Sequence, residues 1–396
     1  MSALKRLFSE GFRVFFLAAG LFAVLGMTIW SGWLGWQFAG GGGALPLGPA
    51  PQLWHAHEMI FGYGAAALGG FFLTAVPNWT GARAAPHLFI TGVALIWLAG
   101  RIAMAAAGVL PPLLVAVLDL AFVPVLAAKI LTQLLHRPKP QQMVFLLTLT
   151  LFWAADLACH LEWLGLAETG WAGLRAGLAV LAAMIIILGG RVTPGFTRNA
   201  MVQSGRESRL PWNPPALALL AGGAAVAVSV ALLAGLPDWV AGGLAVLAGV
   251  VGLIRLAFWR GGWTAGKPIL WALHLGYGLT ALGLALTGLA WAGVGSELAG
   301  LHLLGIGGAG GMTLAIMSRA TLGHTGRALV APRPVVVAYG LIPLAAALRV
   351  LGAVLPDLHD VTVLLAGGIW VLAFGLYLLA LWPVFLAPRL ARGGAA

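Results

Sequence analysis

The sequence predicts an all-α, polytopic membrane protein with about twelve transmembrane helices. Of its 396 residues, 61% are hydrophobic and only 8% are charged, whereas a soluble domain carries roughly 25% charged residues. Apolar segments recur from end to end, and each is long enough for the roughly 20 residues that a helix needs to cross a bilayer. The lipid bilayer is therefore the first partner that the sequence predicts. The single cysteine, Cys159, excludes an internal disulfide.

The apolar segments place the spans in order along the chain. The first follows directly on Lys5, Arg6 and Arg13, without the small-residue cleavage site of a signal peptide. We predict the twelve spans at about residues 12–36, 54–77, 88–108, 112–135, 141–165, 172–192, 214–235, 238–258, 267–291, 298–319, 333–353 and 361–386.

The basic residues predict the orientation of these spans. With the N-terminus in the cytoplasm, all of the 22 Lys and Arg residues except Arg101, Arg175 and Arg349 fall at cytoplasmic ends or loops. This bias follows the positive-inside rule and predicts that both termini are cytoplasmic. The longest cytoplasmic loop is expected at about residues 193–213. The net charge of +11 is explained by topology, so we predict no nucleic-acid partner.

An internal repeat predicts three pseudo-repeated four-helix units within one membrane domain, residues 1–396. The pattern Arg-x-Thr-x-Gly-x-Thr begins at Arg191 after span 6 and at Arg319 after span 10. Aligning Thr80 of span 2 with Thr325 of span 10 places His57 opposite His302. The predicted units cover about residues 1–137, 138–265 and 266–396.

The two Arg-x-Thr-x-Gly-x-Thr segments are interpreted as loops with two possible roles. Arg191 and Arg319 are candidate ligands for an anion, or the loops cap their helices. His324 occupies the position that Trp79 and Phe196 occupy in the related segments. It is therefore a candidate ligand or an aromatic plug.

Histidines near the outer ends of the spans are the candidate metal ligands. Neutral imidazole is the usual nitrogen ligand for copper, iron and haem. At 1.5 Å per residue, His57, His302 and His160 are expected at one depth. His55 and His57 point about 200° apart on a regular helix, so they share an ion only if the helix begins between them. His274 lies beside Gly276, where a flat macrocycle can approach the backbone.

Acidic residues near these histidines have predicted supporting roles. Glu58 is a candidate catalytic residue that orients a ligand imidazole through its second ring nitrogen or carries protons. Asp156 lies four residues before His160 and supports that ring or relays protons. His160 itself is equally interpreted as a hydrogen-bonding residue between helices. Arg101 and Asp119 are expected to form an ion pair between adjacent helices.

The motifs that contain these residues resemble the NnrS family. The resemblance covers nearly the whole chain and implies a twelve-span bacterial inner-membrane protein that contains haem and copper. The family is associated with denitrification and with resistance to nitric oxide. Matching positions that are possible metal ligands are His55, His57, His274, His302 and His324. The motifs lie at residues 55–59, 72–81, 189–199, 270–277 and 312–327.

The resemblance and the histidines together predict a redox protein with haem b and copper that binds nitric oxide and reduces or detoxifies it. In this hypothesis His57 and His302 share one site, His55 joins them or binds copper, and His274 ligates a second centre or lines the pocket. A nitric oxide reductase-like oxidoreductase needs electrons from quinol or another donor, since the sequence lacks a cytochrome c haem motif. The alternatives are a non-catalytic nitric oxide sensor or binder and, less favoured, a transporter.

Overall fold

The computed structural model describes residues 2–43, 47–138 and 140–391. These residues form helices and loops, without a strand, and twelve of the helices are long and apolar enough to cross a membrane. The predicted all-α polytopic class is thereby confirmed. Lys139 and Arg392, which the orientation argument counted as cytoplasmic, lie outside the described residues.

The twelve spans follow the predicted order, and their bounds differ from the predicted ones mainly at the ends of spans 6 and 10 and at the start of span 12. Numbered along the chain as spans 1 to 12, they are Gly11–Phe38, Pro51–Thr80, His87–Ala105, Pro112–Leu134, Gln142–Trp163, Ala172–Gln203, Pro215–Leu233, Asp238–Ala257, Pro268–Trp291, Glu297–His324, Arg333–Val354 and Pro356–Leu386.

The predicted loops at the ends of spans 6 and 10 are helical instead, which corrects the sequence interpretation. Span 6 runs on to Gln203, so the loop expected at residues 193–213 is reduced to residues 204–214. The hydroxyl of Thr197 donates to the carbonyl of Thr193 at 3.0 Å, a local bond that is compatible with helix. Span 10 likewise continues through Arg319 and ends at His324.

The chain divides into two compact units, which are described separately below. Unit 1 contains residues up to Gly177, Ala320–Ala328 and residues from Phe374 onward; unit 2 contains Leu178–Arg319 and Leu329–Ala373. Unit 1 thus holds spans 1–5, and unit 2 holds spans 7–9 and span 11. Spans 6, 10 and 12 contribute to both units. The three predicted four-helix repeats stay a prediction.

Among the described residues, three spans contain a π-helical segment. These segments are Glu58–Gly64 in span 2, Ile185–Gly189 in span 6 and Leu303–Gly310 in span 10. In spans 2 and 10 the segment begins directly after His57 and His302, the two histidines that the repeat aligns. A π-helical turn disturbs the regular hydrogen-bond ladder and is frequent at functional sites. The two segments therefore occupy the same repeat position beside candidate ligands.

Close helix packing holds unit 2 together. Spans 8 and 9 meet at Gly242 and Gly288, where a Cβ atom on Gly242 would lie 2.6 Å from the carbonyl oxygen of Gly288. Spans 9 and 10 approach as closely at Gly276, whose added Cβ would lie 2.7 Å from the amide nitrogen of Met312. Helices in lipid associate through such small residues because hydrocarbon gives no hydrophobic drive.

In unit 1, a buried arginine joins the two ends of the chain. Arg13 is 2% exposed and donates to the carbonyl oxygens of Val384, Phe385 and Ala387 at 3.3, 2.8 and 3.0 Å. These carbonyls lie at the C-terminal end of span 12, where the last turn of a helix lacks internal donors. The guanidinium therefore caps the last span.

Candidate metal centre

Four spans of unit 1 bring buried polar side chains together in what we call the His57 cluster. Span 2 supplies two of its members, spans 3 and 4 one each, and span 5 two. None is more than 6% exposed to solvent. The members are His57, Glu58, Arg101, Asp119, Asp156 and His160.

His57 lies at the middle of the cluster and has a carboxylate at each ring nitrogen. Its Nδ1 is 3.1 Å from Oε1 of Glu58, and its Nε2 is 2.8 Å from Oδ1 of Asp156. The same Nε2 is 3.2 Å from Oδ2 of Asp119. A neutral imidazole has only one N–H to donate. Both contacts are therefore hydrogen bonds only when the ring is an imidazolium or one of the carboxyl groups is protonated, unless a cation lies among these atoms.

Arg101 and Asp119 complete the cluster on its other side. The predicted ion pair between them is confirmed, and Arg101 also donates to Oε1 of Glu58. Oδ2 of Asp119 lies 2.9 Å from Nε2 of His160, so His160 contacts a residue of a neighbouring span, as the interhelical interpretation expects. Asp156 lies 3.8 Å from His160 and only 2.8 Å from His57. Its main partner is thus the ring on span 2, and its support of His160 is secondary.

Local sequence explains how these charges fit between closely packed helices. Gly62 lies beside Arg101, and a Cβ atom there would come 2.8 Å from Nη1 of the guanidinium. Gly100 likewise lies against Asp119, and a Cβ atom on Gly100 would come 3.1 Å from Cα of Asp119. The indole N–H of Trp97 donates to the carbonyl oxygen of Gly62 at 3.0 Å. The π-helical segment of span 2 is therefore held by its neighbours.

Aromatic rings cover the two imidazoles of the cluster. The ring of Trp163 lies 5.1 Å from that of His57 and 5.2 Å from that of His160, measured between centroids. Phe61 packs on His57 at 5.0 Å. The ionisable groups are therefore surrounded by apolar rings, where electrostatic interactions are stronger than in water.

The two imidazoles and the two aspartates have the spacing of metal ligands. One donor atom from each of His57, Asp119, Asp156 and His160 lies within 4.8 Å of every other. Ligands held at about 2.0–2.2 Å by a tetrahedral ion lie about 3.3–3.6 Å apart. The contacts of 2.8, 2.9, 3.2 and 3.8 Å within this set bracket that distance. Small movements would thus suffice to bind an ion.

His55 does not share the surroundings of His57. The first helix of span 2 begins at Pro51, so both histidines follow a regular turn and their side chains diverge. The imidazole of His55 stacks on the indole of Trp30, with 4.6 Å between centroids and 10° between the planes. The condition for sharing one ion, a helix start between the two residues, is not met.

His302 lies in unit 2 and has basic rather than acidic surroundings. Its Nδ1 donates to the carbonyl oxygen of Leu298 at 2.8 Å, so Nε2 carries the lone pair. Nη2 of Arg349 lies 3.3 Å from that Nε2. Arg349 is 7% exposed, and its Nη1 is buried without a hydrogen-bond partner in the described part of the chain.

His274 is also in unit 2, buried near the start of span 9. Its Nδ1 lies 3.1 Å from the carbonyl oxygen of Leu270 and its Nε2 lies 3.4 Å from that of Trp259. The neighbouring Tyr277 accepts a hydrogen bond from the buried Arg255 at 2.9 Å.

The remaining predicted site residues contact aromatic rings or solvent. His324 packs on Phe12 with 5.5 Å between ring centroids in unit 1, as expected of an aromatic plug. In unit 2, the guanidinium carbon of Arg319 lies 4.0 Å from the ring centroid of Phe196. Arg191 is exposed.

The fold and the cluster define a polytopic helical membrane protein in which buried histidines and carboxylates lie together and could hold a metal ion. The sequence matches the family described as NnrS protein over residues 6–389. The chain therefore belongs to the NnrS family, which links it to nitric oxide and to metal cofactors. A comparison with curated proteins gives no match.

The sequence reasoning treated the members of the His57 cluster in separate pairs. It assigned Asp119 to Arg101 and Asp156 to His160, whereas these pairs are parts of one network. The available signal was depth: Arg101, Asp119, Asp156 and His160 were all expected away from the cytoplasmic side. Which helix faces which neighbour, however, is set by tertiary packing and is not contained in that depth.

Proposed function

We propose that the protein is a haem- and copper-containing redox protein that binds nitric oxide and reduces or detoxifies it, protecting the cell from nitrosative stress. The observation that supports this most is the match to the NnrS family over residues 6–389, in a chain whose spans bury histidines among polar side chains. Ionisable groups inside membrane spans are costly and mark functional sites by default.

Haem does not fit His57 in this structure. Both ring nitrogens contact carboxylates, and Phe61 and Trp163 pack on the ring. An axial ligand needs one nitrogen directed at the iron, with open space for the macrocycle. We therefore derive no haem step at His57, and its pairing with His302 on one haem stays a prediction.

His302 is the better candidate for haem, and its Nε2 would have to exchange its contact with Arg349 for the iron. A metal-bound histidine usually donates its other ring N–H to a carboxylate or a carbonyl, as Nδ1 of His302 does to Leu298. The buried Nη1 of Arg349 lacks a hydrogen-bond partner among the described residues, and a guanidinium suits a carboxylate such as a haem propionate. His274, whose Nδ1 faces a carbonyl in the same way, is the second candidate. When bound, haem would supply an iron site for nitric oxide.

Copper is proposed at His55, as the family resemblance implies. The contact with Trp30 uses the face of the imidazole, whereas metals bind in the plane of the ring. The His55 surroundings are therefore compatible with an imidazole donor that is separate from the His57 cluster.

Glu58 and Arg101 are proposed to position His57 and to hold a proton there. Oε1 of Glu58 faces Nδ1 of His57 at 3.1 Å and is itself fixed by Arg101. Glu58 thus favours the tautomer with the proton on Nδ1 and leaves Nε2 for a cation. Electrons would come from quinol or another donor.

We also propose the bacterial inner membrane as the location, with both termini in the cytoplasm. The even number of spans in the described residues puts both termini on one side, and the basic residues select the cytoplasmic side. Two of the three exceptions, Arg101 and Arg349, are only 6% and 7% exposed, so they contact the protein interior rather than a loop.

Anaerobic spectroscopy and nitric oxide consumption on the purified protein test the function. We expect a b-type haem spectrum that nitric oxide perturbs, and consumption of nitric oxide when a quinol is added. His302→Gln should lose the haem bands, whereas the control His136→Gln, which changes an exposed histidine outside the described sites, should keep them. Binding without consumption would favour the sensor, and an absence of both would refute the proposal.

A further inference from the structure

The His57 cluster has a charge imbalance that its own residues do not correct. In the described part of the chain, the carboxylates of Glu58, Asp119 and Asp156 face one guanidinium, that of Arg101. With neutral imidazoles, two negative charges are left uncompensated at sites no more than 6% exposed. Uncompensated buried charge costs several kcal/mol per ion. The cluster therefore needs two protons or a doubly charged cation.

A second observation points to a ligand in addition to the donor spacing. Oε2 of Glu58 is buried and has no hydrogen-bond partner within the described residues, and Glu58 is 1% exposed. Buried carboxylate oxygens are nearly always paired with protein, water or an ion. Glu58 thus has one buried oxygen whose hydrogen-bonding capacity the described residues do not satisfy.

The donor set selects the kind of ion. Two imidazole nitrogens and two carboxylate oxygens suit Fe(II), Mn(II) and Zn(II), whereas Cu(I) prefers thiolate and thioether sulfur. Cys159, on span 5 like Asp156, bonds the carbonyl of Ala155 at 3.4 Å and is not one of the four donors. A monovalent ion would also leave one negative charge buried.

We propose that the His57 cluster binds one divalent first-row transition-metal ion of the Fe(II), Mn(II) or Zn(II) type, separate from haem and from Cu(I). The ligands are Nε2 of His57, Nε2 of His160 and one carboxylate oxygen each from Asp119 and Asp156. Glu58 is a positioning residue that holds the proton on Nδ1 of His57. The inference deepens the proposed function. Binding of the ion can be tested by itself, and only a role of the ion in the reaction with nitric oxide rests on the proposed function.

Metal content of the purified full-length protein tests the inference. We expect about one equivalent of non-haem Fe, Mn or Zn per chain, at the occupancy of a four-ligand site. Asp156→Asn and His160→Gln should lose that ion and keep the haem, while the control His136→Gln, at an exposed histidine, should keep both. Glu58→Gln should lower the affinity for the ion by about 10- to 100-fold, because it changes the hydrogen-bond partner that orients the ligand His57.

Binding of Mn(II) to chelator-treated wild-type protein keeps the inference testable if the variants do not fold. The electron paramagnetic resonance signal of free Mn(II) should fall as the site fills, and Zn(II) should restore it by competition. An unchanged metal content in folded Asp156→Asn, Cu(I) as the ion that this variant loses, or no Mn(II) binding by wild type would overturn the inference.

The same samples distinguish this inference from the proposed function. A protein that holds the non-haem ion but has no haem and no reaction with nitric oxide would refute the proposed function alone. A protein that consumes nitric oxide yet has no ion lost in Asp156→Asn would refute the inference alone.

Discussion

The charged groups around His57 and around His302 have opposite signs, although the predicted repeat aligns the two residues. Each precedes a π-helical segment. In unit 1, His57 contacts carboxylates on spans 2, 4 and 5; in unit 2, His302 contacts a carbonyl and the guanidinium of Arg349. A negative pocket favours a cation, whereas a positive one favours an anionic group such as a propionate.

The difference teaches that two histidines aligned by the predicted repeat have similar backbone geometry, while the neighbouring helices decide the chemistry around each. Arg101 follows His57 by one span, and Arg349 follows His302 by one span. Both arginines are buried, yet only Arg101 meets carboxylates. Substitutions at paired positions therefore test whether the two sites differ as their charges predict.

The largest difference is expected when each arginine is replaced by methionine, which keeps most of the apolar stem. Arg101→Met leaves the buried carboxylates of Glu58 and Asp119 without their guanidinium, which should cost about 3–5 kcal/mol of stability. Arg349→Met removes one contact to a neutral imidazole and should cost about 1 kcal/mol. Thermal unfolding in detergent measures both, and equal shifts of the midpoint would contradict the comparison. Added divalent metal should not rescue Arg101→Met, since the guanidinium is not a ligand.

The second largest difference is expected between alanine substitutions at Gly62 and Gly307, which the predicted repeat aligns. Gly62→Ala places a Cβ atom 2.7 Å from Cε1 of Phe22 and 2.8 Å from Nη1 of Arg101, so the guanidinium must move. Gly307→Ala meets only Leu279 at 3.1 Å and Ala346 at 3.4 Å. Overpacking of a filled site costs about 1–3 kcal/mol, and we expect that cost at Gly62 and less at Gly307. The unfolding midpoints of the two variants measure this difference in stability. The metal content should fall in Gly62→Ala and stay unchanged in Gly307→Ala.

Much of the fold was predictable because hydropathy and length alone identify a membrane span. The order of the twelve spans and the Arg101–Asp119 pair were predicted correctly. The helical continuation after Arg191 was missed, since Pro194 and Gly195 suggest a loop where tertiary packing keeps a helix. The sequence alone contained no signal for the π-helical segments.

The candidate site was predictable only in its parts. The spacing of His55 and His57 drew attention to span 2, but it could not tell that one ring stacks on Trp30 while the other enters the cluster. Asp119 and Asp156 come from spans 4 and 5, and their convergence on His57 depends on the rotation of each helix about its axis. That rotation follows from packing among all neighbours.

The smallest effect concerns the tryptophans beside the two π-helical segments. In unit 1, Trp97 donates its indole N–H to the carbonyl of Gly62. In unit 2, the ring of Trp370 packs against Gly310, so closely that a Cβ atom on this glycine would lie 2.4 Å from the ring. Trp97→Phe removes a donor to a buried carbonyl and should cost about 1 kcal/mol. If that bond fixes the segment, hydrogen exchange should speed up within Glu58–Gly64 and stay unchanged within Leu303–Gly310. Equal protection of Glu58–Gly64 in variant and wild type would show that packing, and not this bond, holds the segment beside His57.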